Sequence, residues 1–585
     1  MPATSAPADY RQHLEIETPE HVVLDLEIAG FGSRMLAATL DTLILFGLML
    51  AGIATYIALA AWALLPKGSW VGALMMLAAF AAWYGYYILF EGLRAGQTPG
   101  KRIVGIRVVR DTGHPVTLGA AAVRNLLRTA DFLPPPYLTG LLLMALHPRG
   151  KRLGDLAAGT VVVRDRPFDQ APARTAPQGA PGKLAAPLLS DDEFRLLAQF
   201  VERAATLDAP ARERLAIALS ERLAGRVPAG RAPLPERLAQ LHVEELERRR
   251  SPLAGRQGTA DRFAERQSPR WQQFQALADR AARRGLDGFQ PEELPDFAAR
   301  YREIAADLAR ARTYRAGPGQ IARLERLVAA GHNVLYRERR GGWRAAVTFV
   351  AQELPAAVVS ARRTVFVAFL LFAAPAAAGY TLIRERPALA EELVPETMLR
   401  RAAAGHARTA KGQRYVEVDW DGRPAAASFI ITNNVRIAFV CFAGGIFAGL
   451  GSLLLLAYNG LALGTFAGHF ANQGLLGYLL EFVVGHGVLE LTAIWIAAAA
   501  GFLLGSALLA PGELSRADAL VVHGRTAIRM VGMAVVLLAC AGLIEGFLST
   551  SRLGLLPRAL VSGGSLLFLL AYLASGARPR RASAP

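Results

Sequence analysis

Eight stretches of this chain are apolar over the roughly 20 residues that a helix needs to cross a bilayer. They are 35–65, 70–90, 364–383, 430–458, 461–485, 488–509, 528–548 and 556–574. No other feature narrows the fold as much. Inside lipid a spanning segment must satisfy its own backbone, and an α-helix does so within one segment. The expectation is an all-α polytopic membrane protein with about eight transmembrane helices. Composition agrees. The chain is 53% hydrophobic and 19% charged, yet 65 Lys+Arg against 48 Asp+Glu leave a net charge of +17. Apolar blocks in lipid with basic blocks beside them account for both facts. The same figures argue against a secreted disulfide scaffold, a disordered chain and a soluble basic nucleic-acid binder. Cys441 and Cys540 both lie in apolar runs, so neither a disulfide framework nor a cysteine metal site is expected. The first 30 residues are polar and acidic (Glu15, Glu17, Glu20, Asp25), which does not read as a signal peptide.

A shorter apolar piece, 137–146, follows the prolines of 133–136. Ten helical residues cover only about 15 Å, half the hydrocarbon core. Basic groups flank it: Lys101, Arg102, Arg107 and Arg110 before, Arg149, Lys151 and Arg152 after, then the Arg362–Arg363 pair. The positive-inside rule puts all of these in the cytoplasm. Segment 133–146 is therefore expected to be re-entrant or interfacial, with a third full span as the rival. Both chain termini are then cytoplasmic.

Between the membrane halves, 167–190 begins as a Pro/Ala/Gly-rich linker. From 191 to 363 the pattern is helical and amphipathic, with stretches at 235–250, 271–284, 291–312 and 319–336. Ser190 and Glu193 form a capping-box pair before the first helix. This predicts a cytosolic helical domain, with charges on a solvated face. Segments 22–28, 102–110 and 160–163 have β-type residues, and a small cytosolic sheet would use all three. The expected division is 1–166, a membrane module; 167–190, linker; 191–363, helical domain; 364–577, a second membrane module; and 578–585, a basic tail.

Residues 18–41 (TPEHVVLDLEIAGFGSRMLAATLD), 92–117 (GLRAGQTPGKRIVGIRVVRDTGHPVT) and 151–163 (KRLGDLAAGTVVV) resemble the RDD family of bacterial membrane proteins. The resemblance implies roles for an Arg opening the first helix, an Asp within it and a later Asp. Arg34 and Asp41 match the first two; Asp155 or Asp131 matches the third. Residues 291–312 (PEELPDFAARYREIAADLARAR), 324–337 (LERLVAAGHNVLYR), NNVRIAF at 433–439, YNGLALG at 458–464, HGVLELTAIWIA at 486–497 and GLIEGF at 542–547 resemble the stage II sporulation protein M family. That family includes a sporulation protein working with peptidoglycan-degrading partners. The resemblance implies a membrane assembly role rather than sporulation itself, and the fusion implies that both halves serve one complex.

Ionisable groups inside a bilayer are expensive and are functional candidates by default. Arg34 and Asp41 lie two turns apart, about 10 Å along the axis, so each is expected to meet a partner on another helix, with Arg124 or Arg128 open to Asp41. His486 and Glu490 share a helix face. With Glu545, and with Asn433, Asn434 and Arg436, they are expected at one depth as a single outward-facing polar cluster. Asn459 is a further intramembrane candidate. A cofactor is not expected. Nor is a metal, because no HExxH or second nearby His of fixed spacing is present. GQTPGK at 96–101 lacks the P-loop spacing. The glycines at 444, 445, 449 and 451, and those at 460, 464 and 468, are read as close helix packing.

The expectation is a non-enzymatic protein of the bacterial cytoplasmic membrane, a scaffold or assembly component of a cell-envelope complex. A cation- or proton-coupled transporter is the alternative, and an intramembrane enzyme a weaker one. Expected partners are anionic lipid headgroups and other envelope proteins, not nucleic acid; a homo-oligomer stays open.

Overall fold

The computed structural model describes residues 13–17, 23–61, 69–132, 137–165, 188–204, 209–223, 225–228, 232–250, 259–284, 289–290, 292–314, 316–335, 343–413 and 415–577. The linker prolines of 167–186, the bend at 133–136 and the basic tail lie outside them. The chain divides into two compact units, one within 1–18, 23–166 and 336–585, the other within 19–22 and 167–335.

Eight helices of the first unit are long and apolar enough to span a membrane. They are α1 (Phe31–Leu59), α2 (Trp70–Leu93), α3 (Arg362–Glu385), α4 (Trp420–Gly444), α5 (Leu450–Asn472), α6 (Gly487–Leu509), α7 (Arg516–Ser549) and α8 (Leu555–Ala577). This is an integral membrane protein of all-α architecture. Helix α6 forms the centre: Ala497, Ala498, Ala499 and Ala500 are wholly buried against α3, α4 and α7. Helix α1 is the opposite case. Ala37, Asp41 and Leu45 are buried, but from Leu50 onward every described residue except Tyr56 is exposed.

Two spans differ from the hydropathy reading. Expected at 430–458 and 461–485, they are observed as α4 and α5, separated by a turn at 445–449. The turn is invisible to hydropathy because its backbone closes on itself, Gly445 N–H to Phe442 O at 3.1 Å and Gly449 N–H to Gly445 O at 2.8 Å. No polar side chain is needed. Ala448 and Gly449 take the left-handed conformation, at φ 53° and 84°, which reverses the chain. The expected single-span glycine stripe at 444–451 is thus a helix–turn–helix, although Gly444 and Gly451 do approach one another closely. The second stripe packs as expected. A Cβ on Gly460, Gly464 or Gly468 would meet the carbonyls of Phe372, Ala376 and Tyr380, one turn apart on α3. The absence of side chains lets α3 and α5 touch backbone to backbone.

The short apolar piece is a nine-residue helix, Leu138–Leu146, about 14 Å long, and does not span. The β-type runs form strands, Val23–Glu27 (β2) pairing antiparallel with His13–Glu17 (β1), a strand not expected from the sequence, and Ile106–Arg110 (β3) with Thr160–Arg164 (β4). An isolated bridge, Ile28 to Val163, joins the pairs. The expected strand over 102–110 is cut short. Pro99–Val104 is helical, capped by the Thr98 side chain and ended by Gly105 at φ 73°.

Every described element of the second unit is a helix: Asp191–Arg203, Ala209–Arg222, Leu234–Arg250, Thr259–Arg284, Glu293–Thr313 and Pro318–Leu335. Ser190 and Glu193 form the expected capping box. Leu197, Leu223, Leu238 and Leu241 are fully buried together. In the later helices the Trp271 indole N–H donates to Asp307 at 2.9 Å. The segment Trp343–Ser360, placed with this domain by composition, instead joins the membrane unit, where Leu354 meets Gly532 of α7 and Pro355 meets Gly576 at the end of α8.

Candidate functional site

Two polar centres lie at opposite ends of the spanning helices. The first gathers around Asp155, in the short helix Leu153–Ala158. Arg34, in the first turn of α1, donates to Asp155 Oδ2 at 2.5 Å and also to the Gly150 carbonyl. Arg124 donates to Asp155 Oδ1 through Nε (3.0 Å) and Nη2 (2.8 Å). Its Nη1 reaches both oxygens of Glu91, each at 2.7 Å. Glu91, at the end of α2, also accepts from Lys101 Nζ and from Asn125 Nδ2 at 2.9 Å. Asp155, Glu91 and Arg124 are almost wholly buried. Buried charges persist only when each is paired and hydrogen-bonded, and here each is. Burial alone would raise the Asp155 pKa, but Arg124, Arg34 and Arg152 outweigh it and hold the carboxyl well below its ordinary range. Burial pulls Lys101 down to about 8, against the opposing pull of Glu91.

Asp41 joins neither Arg124 nor Arg128, the two arginines left open to it by the sequence. Its carboxylate accepts from the Tyr86 hydroxyl (2.8 Å), Thr98 Oγ1 (2.5 Å) and the Gly100 N–H (2.7 Å). A Cβ on Gly100 would stand 2.8 Å from that carboxyl group, so only glycine admits it. GQTPGK is thus a carboxylate cradle at a helix start. Arg128 instead lies 4.3 Å over the Tyr87 ring. A cavity of about 340 Å³ opens beside Arg34, Asp41, Tyr87, Glu91, Lys101 and Arg128. Among the described residues, the buried Tyr87 hydroxyl has no hydrogen-bond partner there. Asp131 sits one step away, accepting from the Leu153 N–H at 3.2 Å and facing Arg152 at 3.6 Å. Asp155, not Asp131, is the carboxylate that meets Arg34.

Glu91, Lys101, Thr98 and Asn125 are site residues that sequence patterns alone do not single out. A carboxylate ending an apolar span, followed ten residues on by a lysine, was the available signal.

The second centre lies at the other end. His486 precedes α6, Glu490 lies in its first turn, and Glu545 opens the π turn Glu545–Ser549 that ends α7. His486 Nε2 stands 3.5 Å from Glu490 Oε2 and 3.8 Å from Glu545 Oε2. His486 Nδ1 is 3.0 Å from Ser549 Oγ. Asn434 donates to Glu490 Oε1 at 2.8 Å, and Asn433 to Asn434 at 3.2 Å. Five of the six expected members therefore meet. Arg436 does not; it is exposed on the surface of α4. Asn459 also stays apart, its side chain bonded to the Leu455 carbonyl of its own helix.

The two membrane modules pack on each other directly. The Trp70 and Phe547 rings are 5.7 Å apart, and Tyr84 meets Phe439 edge-on at 4.9 Å. A Cβ on Gly524 of α7 would stand 3.0 Å from the Ala157 carbonyl.

Comparison with known families accounts for this division. Residues 28–159 match the RDD family, and residues 368–550 match Stage II sporulation protein M. The chain fuses an RDD domain to a stage II sporulation protein M domain. Between the two, residues 261–337 of the fusion match a domain of unknown function, DUF8413. Segments 291–312 and 324–337, which resembled the sporulation protein, belong to that match instead. An uncharacterized protein of Methanocaldococcus jannaschii is 34% identical over 74 residues, 12% of this chain and 42% of its own. The chain thus spans under half the length of that curated relative. No solved structure matches the fusion.

Proposed function

We propose that the fusion is a non-enzymatic scaffold of a cell-envelope complex in the bacterial inner membrane. The observation that carries this reading is the interlocking of the RDD and sporulation-protein-M domains. Ring contacts and a glycine-sized backbone approach join them. Such packing makes one rigid platform of two modules. The closed ionic network supports the same reading. Every carboxylate in it is held by fixed donors, which suits an immobile joint better than a path for ions.

One end of the bundle carries Arg34, Lys101, Arg149, Lys151, Arg362, Arg363, Arg516 and Arg525 beside short connections. The segment 384–427 at the other end balances its bases with Glu385, Glu391, Glu392, Glu396, Glu417, Asp419 and Asp421. By the positive-inside rule the first end is cytoplasmic, and both termini with it. Anionic headgroups are natural partners for these arginines, and other envelope proteins for the polar domains. Affinity purification in mild detergent tests the scaffold. Removing 188–335 or 384–427 is expected to strip partners from the wild-type list; an unchanged list counts against it.

The rival is a cation- or proton-coupled transporter, favoured by the gathering of His486, Glu490 and Glu545. It requires ion flux in proteoliposomes that Asp41→Asn and Glu490→Gln abolish. Wild-type vesicles without flux eliminate it.

A further inference from the structure

We propose that His486, Glu490 and Glu545 form a site for one divalent transition-metal ion of zinc-like preference, which clamps α6 to α7. The proposal goes beyond the scaffold reading and does not depend on it.

The argument begins with spacing. One imidazole nitrogen and one oxygen from each carboxylate lie within 4.8 Å of one another. Two of these separations are 3.5 and 3.8 Å. Ligands held about 2.0–2.2 Å from a tetrahedral zinc stand roughly 3.3–3.5 Å apart, so a small inward movement closes the site. The separations are longer than good hydrogen bonds.

Orientation is the second, independent observation. Metal-bound histidine almost always bonds its other ring nitrogen to an oxygen, which sets the tautomer. His486 Nδ1 lies 3.0 Å from Ser549 Oγ inside the fold, a hydroxyl that can accept the Nδ1 proton or donate to the bare nitrogen. With the proton on Nδ1, Nε2 presents its lone pair to two carboxylates. Three electron-rich atoms facing one another at this range repel, and either an added proton or a cation between them relieves that repulsion. Glu490 is steered likewise: Asn434 occupies Oε1 at 2.8 Å, leaving Oε2 towards the imidazole. His486 is 4% exposed, while the Glu490 and Glu545 side chains are 23% and 14% exposed. An ion can enter from that end of the bundle without unfolding it.

Ligand chemistry selects the ion. One imidazole with two carboxylates suits zinc and its transition-metal neighbours, whereas magnesium and calcium prefer an all-oxygen set. Three protein ligands leave a fourth position for water or for a carboxylate from a partner. The physical rival is a pair of protons shared among the same three groups.

The test uses the full chain, with any affinity tag removed. Purified protein is stripped with chelator, titrated with zinc chloride and assayed for bound metal by elemental mass spectrometry. The expected result is about one zinc per chain, retained through gel filtration, with a zinc-dependent rise in melting temperature. His486→Ala and Glu490→Gln should abolish both. Should either variant misfold, Ser549→Ala keeps all three ligands and should weaken zinc binding by at least about tenfold. Wild-type chain that retains no zinc overturns the proposal in favour of shared protons. So does zinc that binds equally to folded His486→Ala protein, because the ion then sits elsewhere.

Discussion

The Ser69 backbone N–H donates to the Asp421 carbonyl at 2.9 Å, joining the start of α2 to the start of α4 across more than half the chain. The Ser69 hydroxyl accepts from the Ala425 N–H at 3.2 Å in the same place. The RDD and sporulation-protein-M domains are therefore tied at the end far from the ionic network as well as near it. Ser69→Cys with Ala425→Cys, in a chain freed of Cys441 and Cys540, should form a disulfide on oxidation. After proteolysis in 167–187 the halves should migrate together on a denaturing gel and separate on reduction. Halves that separate without reduction would contradict the packing.

Glycine-sized contact between α3 and α5 should be intolerant of added volume. Gly464→Ala places a methyl group against the Ala376 carbonyl and should cost about 1–3 kcal/mol of stability. Gly464→Leu should prevent folding. Fluorescence-detected gel filtration after heating measures both. Gly563, with open space around it on α8, should accept alanine with little change.

Arg124 and Arg34 should differ in weight. Removing Arg124 strips the main partner from Glu91 and one of the two salt bridges from Asp155. Breaking a buried pair in this way costs about 3–5 kcal/mol, so Arg124→Met should be expressed poorly or melt far lower. Arg34→Met leaves Asp155 with Arg124 and should be milder. Equal melting temperatures would refute the network's ranking.

The Asp155 carboxyl has a folded-state pKa below that of an unfolded aspartate, about 3.9. The unfolded chain thus binds this proton first as pH falls. The stabilisation is complete above that value and is lost as pH drops through the lower folded one. Asp155→Asn should be less stable than wild type at pH 7, with the gap narrowing only below about pH 4. Chemical denaturation in detergent across pH 3–8 reads this, and a gap constant to pH 3 would be the contrary result.

Sidedness has its own check. In the same cysteine-free background, His406→Cys should react with an impermeant maleimide from outside intact cells. Arg300→Cys should react only after lysis. The reverse pattern would invert the topology.

Spans and capping were legible in the sequence because both follow from local chemistry. Runs of about 20 apolar residues have few alternatives to a membrane helix, and the Ser190–Glu193 pair bonds within one turn. The 445–449 turn was not legible, because a buried reversal built from small residues leaves hydropathy unchanged. Convergence of His486, Glu490 and Glu545 could be inferred by counting along each span, since depth is nearly one-dimensional in a bilayer. Partner choice could not. Asp41 selected Tyr86, Thr98 and Gly100 rather than an arginine, and Arg124 selected Glu91, because lateral position depends on packing that no single helix encodes.

Helix α1 is fastened to the rest chiefly along its first turns, through Arg34, Ala37, Asp41 and Leu45, and faces lipid for most of its remaining length. A rod held at one end can change its angle to the bilayer normal without disturbing what holds it. Bilayers of different hydrocarbon thickness are matched by such tilting at a modest cost per ångström. Tilting of α1 alone would let the chain fit membranes of unequal depth while its ionic joint keeps one geometry.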